Sequence, residues 1–269
     1  MKSFIVDSFT KEAFKGNPAA VCFPEEEVSE AQMLKIAQEF GLSETAFVRP
    51  ANNANIYTIR FFSPKKEIAL CGHATLAAAK VIFKTLDENE IHFITVENID
   101  LPIKRRNEEI EMGFPVYDTV DAKVPLTMLI ALGITETDIK NTAYSPINKI
   151  ILLEIGDANL LSNLSPDFDA LLRSDSDING VLVISASNNT EFDYHYRYFW
   201  PWAGTNEDPV TGGVQTFLSK YWATRLNKNR MKAFQSSGRT GYMKVELRDE
   251  KVFIISEAVI ILEGNLYIS

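Results

Sequence analysis

The spacing of apolar residues after Ser29 predicts the first helix of the chain. Apolar side chains there recur at i, i+3, i+4 and i+7, the spacing of one helix face. They are Met33, Ile36, Ala37 and Phe40. Ser29 followed by Gln32 is a capping-box sequence, and Gly41 is typical of a helix C-terminus. Three further elements are predicted downstream, namely strands over 44–48 and 55–64 and a helix over 72–84.

The second half of the chain repeats this order of elements. Ser165-Pro166-Asp167 predicts a capped helix with proline at its first position. The elements that follow are strands over 180–184 and 192–201 and a helix over 209–224. Both halves contain R-x-F-x-P, with Arg60 31 residues after Ser29 and Arg197 32 residues after Ser165. This agreement favours a duplicated unit over a coincidence between two unrelated α+β halves.

One helix in each half is apolar over most of its surface. The apolar positions are Ala74, Ala77, Ala78, Val81 and Ile82 in the first, and Val214, Phe217, Leu218, Tyr221 and Trp222 in the second. A helix with so few charges is buried. The pattern therefore predicts an α+β fold with two pseudo-symmetric domains, each a curled mixed β-sheet or barrel around a central helix. We expect the domains to span 1–117 and 118–269, with a cleft between them as the default ligand site.

Composition narrows the class of protein. The chain has 269 residues, a net charge of −9 and a pI near 5.0. A nucleic-acid or anionic-membrane partner is disfavoured, because such partners need a basic face. No apolar run reaches the roughly 20 residues of a membrane helix, and Asp7 comes too early for a signal peptide. With only Cys22 and Cys71 and no CxxC, a disulfide framework is excluded and a cytoplasmic location is expected.

The motifs that are missing narrow the chemistry further. The sequence contains neither G-x-G-x-x-G nor G-x-x-x-x-G-K-[ST], the two usual phosphate-binding loops, and no G-x-S-x-G nucleophile elbow. The three histidines, His73, His92 and His195, lack the spacing of a metal site. We therefore expect no metal and no cofactor, and chemistry carried by side chains and backbone dipoles.

Glycine at the start of both apolar helices marks the candidate binding elements. These residues are Gly72 in one half and Gly212 and Gly213 in the other. Helix N-termini present unpaired N–H groups and a partial positive charge, and glycine lets a ligand approach the backbone. Two such ends facing one cleft would hold a carboxylate or a developing oxyanion. That arrangement suits proton transfer next to a carbonyl group or a conjugated acid.

Glu44 is the candidate general acid/base. It opens an otherwise apolar strand, and the corresponding position in the second half, Gly180, carries no acid. Partial burial would suit this carboxyl group to proton transfer. The sequence allows equally that it is a solvated loop carboxylate.

Three other residues have both a functional and a structural interpretation. His73 is either a catalytic group or a polar residue satisfied near the helix start. Asp208 precedes Pro209, so it is an N-cap by type and position, and a cap can also act in catalysis. Cys71 is either a thiolate whose pKa is lowered at a helix start or a small buried residue.

At these residues the chain resembles the PhzF-like family of phenazine-biosynthesis isomerases over essentially its whole length. The matching segments are 7–10, 16–21, 42–47, Leu70-Cys71-Gly72-His73-Ala74-Thr75, Asn206-Glu207-Asp208-Pro209-Val210-Thr211-Gly212 and, more loosely, 235–239. The resemblance implies a diaminopimelate-epimerase-like fold, a homodimer and a metal- and cofactor-independent isomerase acting on a small carboxylate. It implies roles for eight residues: Glu44 moves the proton, His73 and Asp208 orient and polarise the substrate, Gly72, Gly212 and Gly213 hold its carboxylate, and Asn17 and Cys71 contact it.

Two departures from the family pattern keep alternatives open. Gly213 stands where the family commonly has serine, so one hydroxyl contact is lost and the substrate is expected to differ. Cys71 resembles one cysteine of the paired-thiol epimerases, but nothing near Asp208 supplies the second. The alternatives to the isomerase are a Cys71-dependent epimerase or racemase and a non-catalytic small-molecule binding protein that keeps the fold.

Overall fold

Two compact units make up the chain. The computed structural model describes residues 1–51, 53–203 and 205–268. The first unit comprises Met1–Phe114 together with the segment from Phe253 onward, and the second comprises Pro115–Val252. Both units combine many strands with a few helices, which is the predicted α+β class.

The first unit contains nine strands and two helices among the described residues. Its strands are β1 Lys2–Ser8, β2 Asn17–Phe23, β3 Glu44–Pro50, β4 Ile56–Phe62, β5 Glu67–Ile68, β6 Glu90–Thr95, β7 Asp100–Arg106, β8 Glu109–Pro115 and, from the C-terminal segment, β18 Ala258–Asn265. Its helices are α1 Glu30–Phe40 and α2 Gly72–Thr85.

The second unit holds the remaining elements. Its strands are β9 Val120–Asp121, β10 Ile139–Ser145, β11 Ile150–Ile155, β12 Gly180–Ala186, β13 Tyr194–Trp200, β14 Thr205–Asp208, β15 Arg230–Gln235 and β16 Gly241–Arg248, while β17 Lys251–Ser256 crosses the boundary. Its helices are α3 Leu126–Leu132, α4 Ala158–Asn163, α5 Phe168–Ser174 and α6 Gln215–Leu226, with short 3-10 helices at Glu136–Asp138 and Pro201–Ala203.

Strand pairing is the same in the two units. In the first, β1 and β2 are antiparallel, β2 and β3 parallel, and β3 and β4 antiparallel. Strand β4 then pairs antiparallel with β5 and parallel with β6, and β6 is antiparallel to β7. The series β10 to β16 repeats every one of these pairings in order and direction. The duplication read from the spacing of the two R-x-F-x-P motifs is confirmed.

The helix α2 is the central element of the first unit. Every residue in it except Lys80, Lys84 and Thr85 is buried, and it packs against β1, β2, β3 and β18. In the second unit α6 packs against β15 and β16. Within the described part of the chain, no helix has both the length and the apolar character that crossing a bilayer requires.

Local sequence signals explain the boundaries of α1. The Ser29 hydroxyl accepts a hydrogen bond from the Gln32 N–H, and the Gln32 side-chain oxygen accepts one from the Ser29 N–H, so the capping box is present. Gly41 ends the helix in the left-handed conformation, at φ 62°, which costs glycine little because it has no Cβ. Both ends of this helix were predicted correctly.

Three boundaries differ from the sequence predictions. The segment from Phe253 onward belongs to the first unit instead of to a 118–269 domain, because β18 pairs along the length of β1. Helix α6 begins at Gln215 and not at Pro209, because 209–214 form turns. The cap of α5 is Asp167, whose side chain accepts from the Ala170 N–H, so the proline before it lies outside the helix.

Candidate active site

Five polar side chains of the first unit meet at the start of α2. They are Asn17, Ser43, Glu44, Cys71 and His73. The side chains of His73 and Glu44 are only 6% and 5% exposed. Polar groups so deeply buried are costly unless they are hydrogen-bonded or paired. The cluster is therefore the best candidate for a chemical function in this unit.

Strand starts bring Glu44 and Asn17 into the cluster. The turn after α1 leads directly into β3, of which Glu44 is the first residue. Strand β3 runs parallel to β2 with Glu44 beside Ala19, two positions from Asn17. Gly16, at φ +67°, makes the preceding turn possible, since a Cβ there would lie 2.0 Å from the Ser8 carbonyl oxygen. The backbone next to the site thus requires glycine at position 16, directly before Asn17.

The first turn of α2 fixes His73 and Cys71. Cys71 is the N-cap residue, in an extended conformation, and its carbonyl oxygen accepts from the Thr75 hydroxyl at 2.6 Å. The His73 carbonyl accepts from the Ser8 hydroxyl at 2.7 Å. These side-chain bonds tie the helix start to β1 and to its own second turn.

Both nitrogens of the His73 ring have partners. On one side, Nε2 lies 3.2 Å from Glu44 Oε2 and 3.3 Å from the Ser43 hydroxyl. On the other, Nδ1 lies 3.3 Å from the Asn17 amide nitrogen and 3.4 Å from Cys71 Sγ. The ring is held at both edges, so its orientation relative to Glu44 is fixed.

Charge and burial act in opposite directions on His73. Burial alone would lower the pKa of its imidazole, but the hydrogen bond to Cys71 and the contact with the Glu44 carboxylate raise that pKa well above its usual value. Burial raises the pKa of the Cys71 thiol, which keeps it neutral near pH 7. The thiolate suggested by its place at a helix start is thus disfavoured, because desolvation outweighs the helix dipole and the nearby histidine.

The partners of His73 can follow a change in its protonation. An amide presents either its oxygen or its nitrogen to a ring nitrogen, and a hydroxyl either donates or accepts. Asn17 and Ser43 are also bonded to each other, at 3.4 Å. The His73 ring can therefore gain or lose a proton without leaving a buried polar group unpaired.

Metal binding would require this cluster to rearrange. Glu44, Cys71 and His73 each offer a ligand atom within 4.8 Å of the others. Glu44 approaches Nε2 of the ring whereas Cys71 approaches Nδ1. An ion bound to either nitrogen would lie near only one of these two partners. The arrangement suits proton exchange between neighbours better than shared coordination.

The second unit holds Asp208 at the end of β14, six residues before the residue that caps α6. The predicted N-cap role is therefore wrong. Its carboxylate instead accepts from the Thr211 hydroxyl, and its carbonyl oxygen accepts from the Gln235 amide. The Gln235 side-chain oxygen accepts from the Thr211 N–H at 2.7 Å. The Gln235 amide thus connects Asp208 and Thr211, which lie on either side of the turn.

Gly212 and Gly213 lie in the turn before α6. The Gln215 N–H donates to the Gly212 carbonyl at 3.0 Å, and the Thr216 hydroxyl donates to the Gly213 carbonyl at 2.8 Å. A Cβ on Gly213 would meet nothing within 4 Å. Neither space nor backbone conformation at this position demands glycine. The predicted convergence of the Gly72 and Gly212–Gly213 segments on one ligand stays a prediction.

The comparisons with known proteins agree with this picture. The family model PhzC-PhzF, described as phenazine biosynthesis-like protein, matches residues 6–264. The chain belongs to this family. Over 268 residues it is 39% identical to an uncharacterized isomerase of Halalkalibacterium halodurans, covering 98% of this chain and 97% of that protein.

Solved structures show the PhzC-PhzF fold directly. The crystal structure of a PhzF-family phenazine biosynthesis protein from Enterococcus faecalis matches with a TM-score of 0.90 and 33% identity, covering 99% of each chain. A predicted epimerase from Pseudomonas aeruginosa shares the fold alone, with a TM-score of 0.74 and 17% identity over 100% of this chain and 99% of that one. The family resemblance and the epimerase-like fold predicted from the sequence are both confirmed.

The duplicated PhzC-PhzF fold is chemically asymmetric. Thr45 faces Phe62 across β3 and β4, and Val181 faces Phe199 across β12 and β13. The residues preceding Thr45 and Val181 are Glu44 and Gly180, so Gly180 is the counterpart of Glu44, as predicted. A Cβ on Gly180 would lie 2.5 Å from the ring of Tyr198. An acid equivalent to Glu44 at position 180 would therefore require the Tyr198 ring or the strand to move.

Sequence reasoning missed two hydroxyl groups at the site of this PhzC-PhzF member, those of Ser8 and Ser43. Ser8 anchors the His73 carbonyl and Ser43 contacts the His73 ring. Ser43 directly precedes Glu44, and that adjacency was the available signal. Ser8 lies in the matching segment 7–10, but no nearby residue indicates its contact with His73, which depends on the pairing of β1 with β2 and their packing against α2.

A separate cavity of about 520 Å³ in the first unit does not include the cluster. It is lined near the other end of α2 by Lys80, Phe83 and Lys84 and by residues of β7, β8 and β18. None of the five residues of the cluster is among the residues that line this cavity.

Proposed function

We propose that this PhzC-PhzF protein is an isomerase that moves a proton along a small carboxylic acid, with Glu44 removing and returning the proton. The observation that carries the proposal is the buried contact between Glu44 and His73, 3.2 Å long. Two titratable groups in direct contact and shielded from water are the arrangement that general acid/base catalysis uses. The name of the Halalkalibacterium halodurans relative, an isomerase, supports the same reaction class.

The proposed reaction needs no change of oxidation state. The Glu44 carboxylate takes a proton from a C–H bond next to a carbonyl or carboxyl group, and the electron pair left behind delocalises onto oxygen. The same carboxyl group returns the proton at another carbon of the conjugated system. The product is an isomer of the substrate, and because the carboxylate is regenerated this step calls for no metal or cofactor.

His73 supports this cycle by balancing charge. Its raised pKa favours the imidazolium form, which offsets the negative charge of Glu44 before the proton is taken. The start of α2 at Gly72 offers backbone N–H groups and a partial positive charge to a substrate carboxylate. By family resemblance, Asp208, Gly212 and Gly213 contribute further substrate contacts, and Asn17 one more. The homodimer and the cytoplasmic location remain part of the proposal.

Cys71 is the basis of the competing epimerase hypothesis. The thiol lies 3.4 Å from His73 Nδ1, but burial raises its pKa and so disfavours the thiolate that a cysteine base requires. The isomerase proposal therefore predicts that Cys71→Ala lowers turnover without abolishing it, because Cys71 supports His73 and is not the base.

The test is proton exchange in deuterated water with a panel of hydroxylated and amino-substituted cyclic carboxylic acids. Loss of the C–H signal by NMR and the mass increase of each acid report exchange. We expect the wild-type protein to exchange at least one acid and Glu44→Gln to slow that exchange by about 10²–10⁴-fold. Glu111→Gln is the matched control, because Glu111 is a buried acid of the same unit that pairs with Arg106 away from the cluster.

Each other outcome contradicts the proposal. Exchange by Glu44→Gln at the wild-type rate removes Glu44 from its role. Complete loss in a correctly folded Cys71→Ala variant favours the epimerase. If acids of the panel raise the melting temperature but none exchanges, the protein is a binding protein that keeps the fold.

A further inference from the structure

The arginine of each R-x-F-x-P motif makes the same two-pronged contact with a glutamate. Arg60 donates from Nε and Nη2 to the two oxygens of Glu67 at 2.7 and 2.6 Å. Arg197 donates from the same two nitrogens to Glu207, both at 2.7 Å. Paired parallel bonds between a guanidinium and a carboxylate fix direction as well as distance.

The two contacts occupy equivalent places in the two units. Glu67 faces Phe62 across β4 and β5, and Glu207 faces Phe199 across β13 and β14. In both units the arginine lies two residues before that phenylalanine, with its guanidinium 5.2 Å from the ring of Phe62 or 4.9 Å from that of Phe199. Both units therefore contain the same arginine–glutamate contact, although they differ at the equivalent positions Glu44 and Gly180.

Glu67 and Glu207 each lie in a segment that leads directly to candidate site residues. Glu67 lies five residues before Gly72 and six before His73, and Glu207 lies five before Gly212 and directly before Asp208. Strands β5 and β14 are short, two and four residues, so few ladder hydrogen bonds fix them. The paired hydrogen bonds between arginine and glutamate add contacts that hold β5 and β14 against their neighbouring strands.

The second fork is also anchored from behind. Arg197, whose side chain is 9% exposed, donates from Nη1 to the carbonyls of Leu161 and Leu164 at 3.3 and 2.7 Å. Those residues end the helix α4. The arginine thus connects a helix end, its own strand and the segment that leads to Asp208.

We infer that Arg60–Glu67 and Arg197–Glu207 are positioning pairs that set the backbone of the segments leading to His73 and to Asp208. They act through those residues and are not expected to touch substrate. The part of this inference that concerns turnover rests on the proposed function, whereas the part that concerns the geometry of His73 does not.

The test for the first pair reads the protonation of His73 by NMR of the histidine ring. Glu67→Gln removes the fork's charge, and Arg60→Lys keeps the charge but cannot form the fork. In both variants we expect the helix start to relax, the contact between Glu44 and His73 to lengthen and the pKa of His73 to fall. We expect a shift of at least about threefold in its protonation equilibrium, where tenfold is one pKa unit.

Glu30→Gln is the matched control. Glu30 also lies near Arg60, 3.5 Å from Nη2, but its side chain is 71% exposed and it belongs to α1. Removing its charge changes the surroundings of Arg60 without releasing β5. We expect the His73 titration to stay at its wild-type position in this variant.

For the second pair, amide hydrogen exchange gives a readout independent of activity. We expect Glu207→Gln to speed exchange of the Thr211 N–H, which Gln235 holds in the wild type, at least about tenfold while the strands β15 and β16 keep their protection. If an exchanging substrate is found, Glu67→Gln and Glu207→Gln lower kcat more than they raise KM.

The outcomes separate this inference from the proposed function. An unchanged His73 titration in both Glu67→Gln and Arg60→Lys overturns the positioning role of the first pair, and so does a shift of equal size in Glu30→Gln. Uniform loss of protection throughout the second unit in Glu207→Gln shows a purely structural pair. If His73 and Thr211 respond as expected but no acid exchanges with wild-type protein, the pairs stand and the isomerase proposal fails.

Discussion

Substituting Gly180 by alanine tests the explanation for the missing second acid. The added Cβ would lie 2.5 Å from Cε2, 2.6 Å from Oη and 2.7 Å from Cζ of Tyr198. Carbon atoms do not approach that closely, so the ring or the strand must move. Tyr198 is only 4% exposed and its ring packs against Trp200 at 5.7 Å. Overpacking a site of this kind costs about 1–3 kcal/mol.

One effect opposes this loss. Alanine restricts the unfolded chain more than glycine does and so stabilises a compatible site by about 0.4–1 kcal/mol. We therefore expect Gly180→Ala to lower the free energy of unfolding by about 1–2 kcal/mol, measured by urea denaturation with an unchanged m-value. Gly213→Ala is the control, because its Cβ meets nothing within 4 Å, and it should leave stability unchanged or slightly increased.

A second substitution locates the cause of the loss. Tyr198→Leu removes the ring that the new Cβ meets. In a double-mutant cycle with Gly180→Ala it should therefore recover part of the lost stability. Tyr198→Phe should not, because the contacts to Cε2 and Cζ remain. A Gly180→Ala protein as stable as the wild type would refute the claim that Tyr198 fills the position equivalent to Glu44.

Two further predictions concern titration and capping. His73 has a raised pKa, so its contribution to stability is complete below about pH 6.5 and is lost as the pH rises through the pKa of the folded protein. Burial lowers the pKa of His195, so its contribution to stability is complete above about pH 6.5 and is lost as the pH falls. NMR of the histidine rings should therefore show that His73 titrates at higher pH than His195, and the reverse order would contradict the assigned environments. His73→Gln should flatten the dependence of stability on pH on the alkaline side, and His195→Gln should flatten it on the acid side. Ser29→Ala removes the side-chain half of the α1 capping box and should cost about 0.5–2 kcal/mol in urea denaturation. Ser165→Ala, at an exposed position between α4 and α5, serves as comparison, and equal effects would argue against the cap.

Most of the helices and strands could be predicted from signals between residues close together in the sequence. The capping box at Ser29, the glycine at position 41 and the apolar spacing along α2 each depend on residues a few positions apart, and each was read correctly. The repeat of R-x-F-x-P was visible because one short motif recurs at similar distance. Glu44 and His73 could be named as candidates because Glu44 begins a strand and His73 lies in the first turn of a helix.

The errors have a common physical origin in contacts between distant positions. Asp208 before Pro209 has the local form of a helix cap, yet Gln235 holds the turn after it and delays the helix to Gln215. Pairing of β18 with β1 joins residues 250 or more positions apart, which no periodicity reveals. Cys71 has the local setting of a reactive thiol, and only its burial shows that desolvation dominates.

The pairing of β18 with β1 also bears on how the chain is made. Residues 115–252 are continuous, so a ribosome delivers the whole of that unit before it delivers Ala258. Until then β1 has no neighbour on one side, and an uncovered strand edge invites association with other chains. The unit whose residues emerge first is consequently the one completed last, and nascent chains halted before β18 should be the species that need a chaperone.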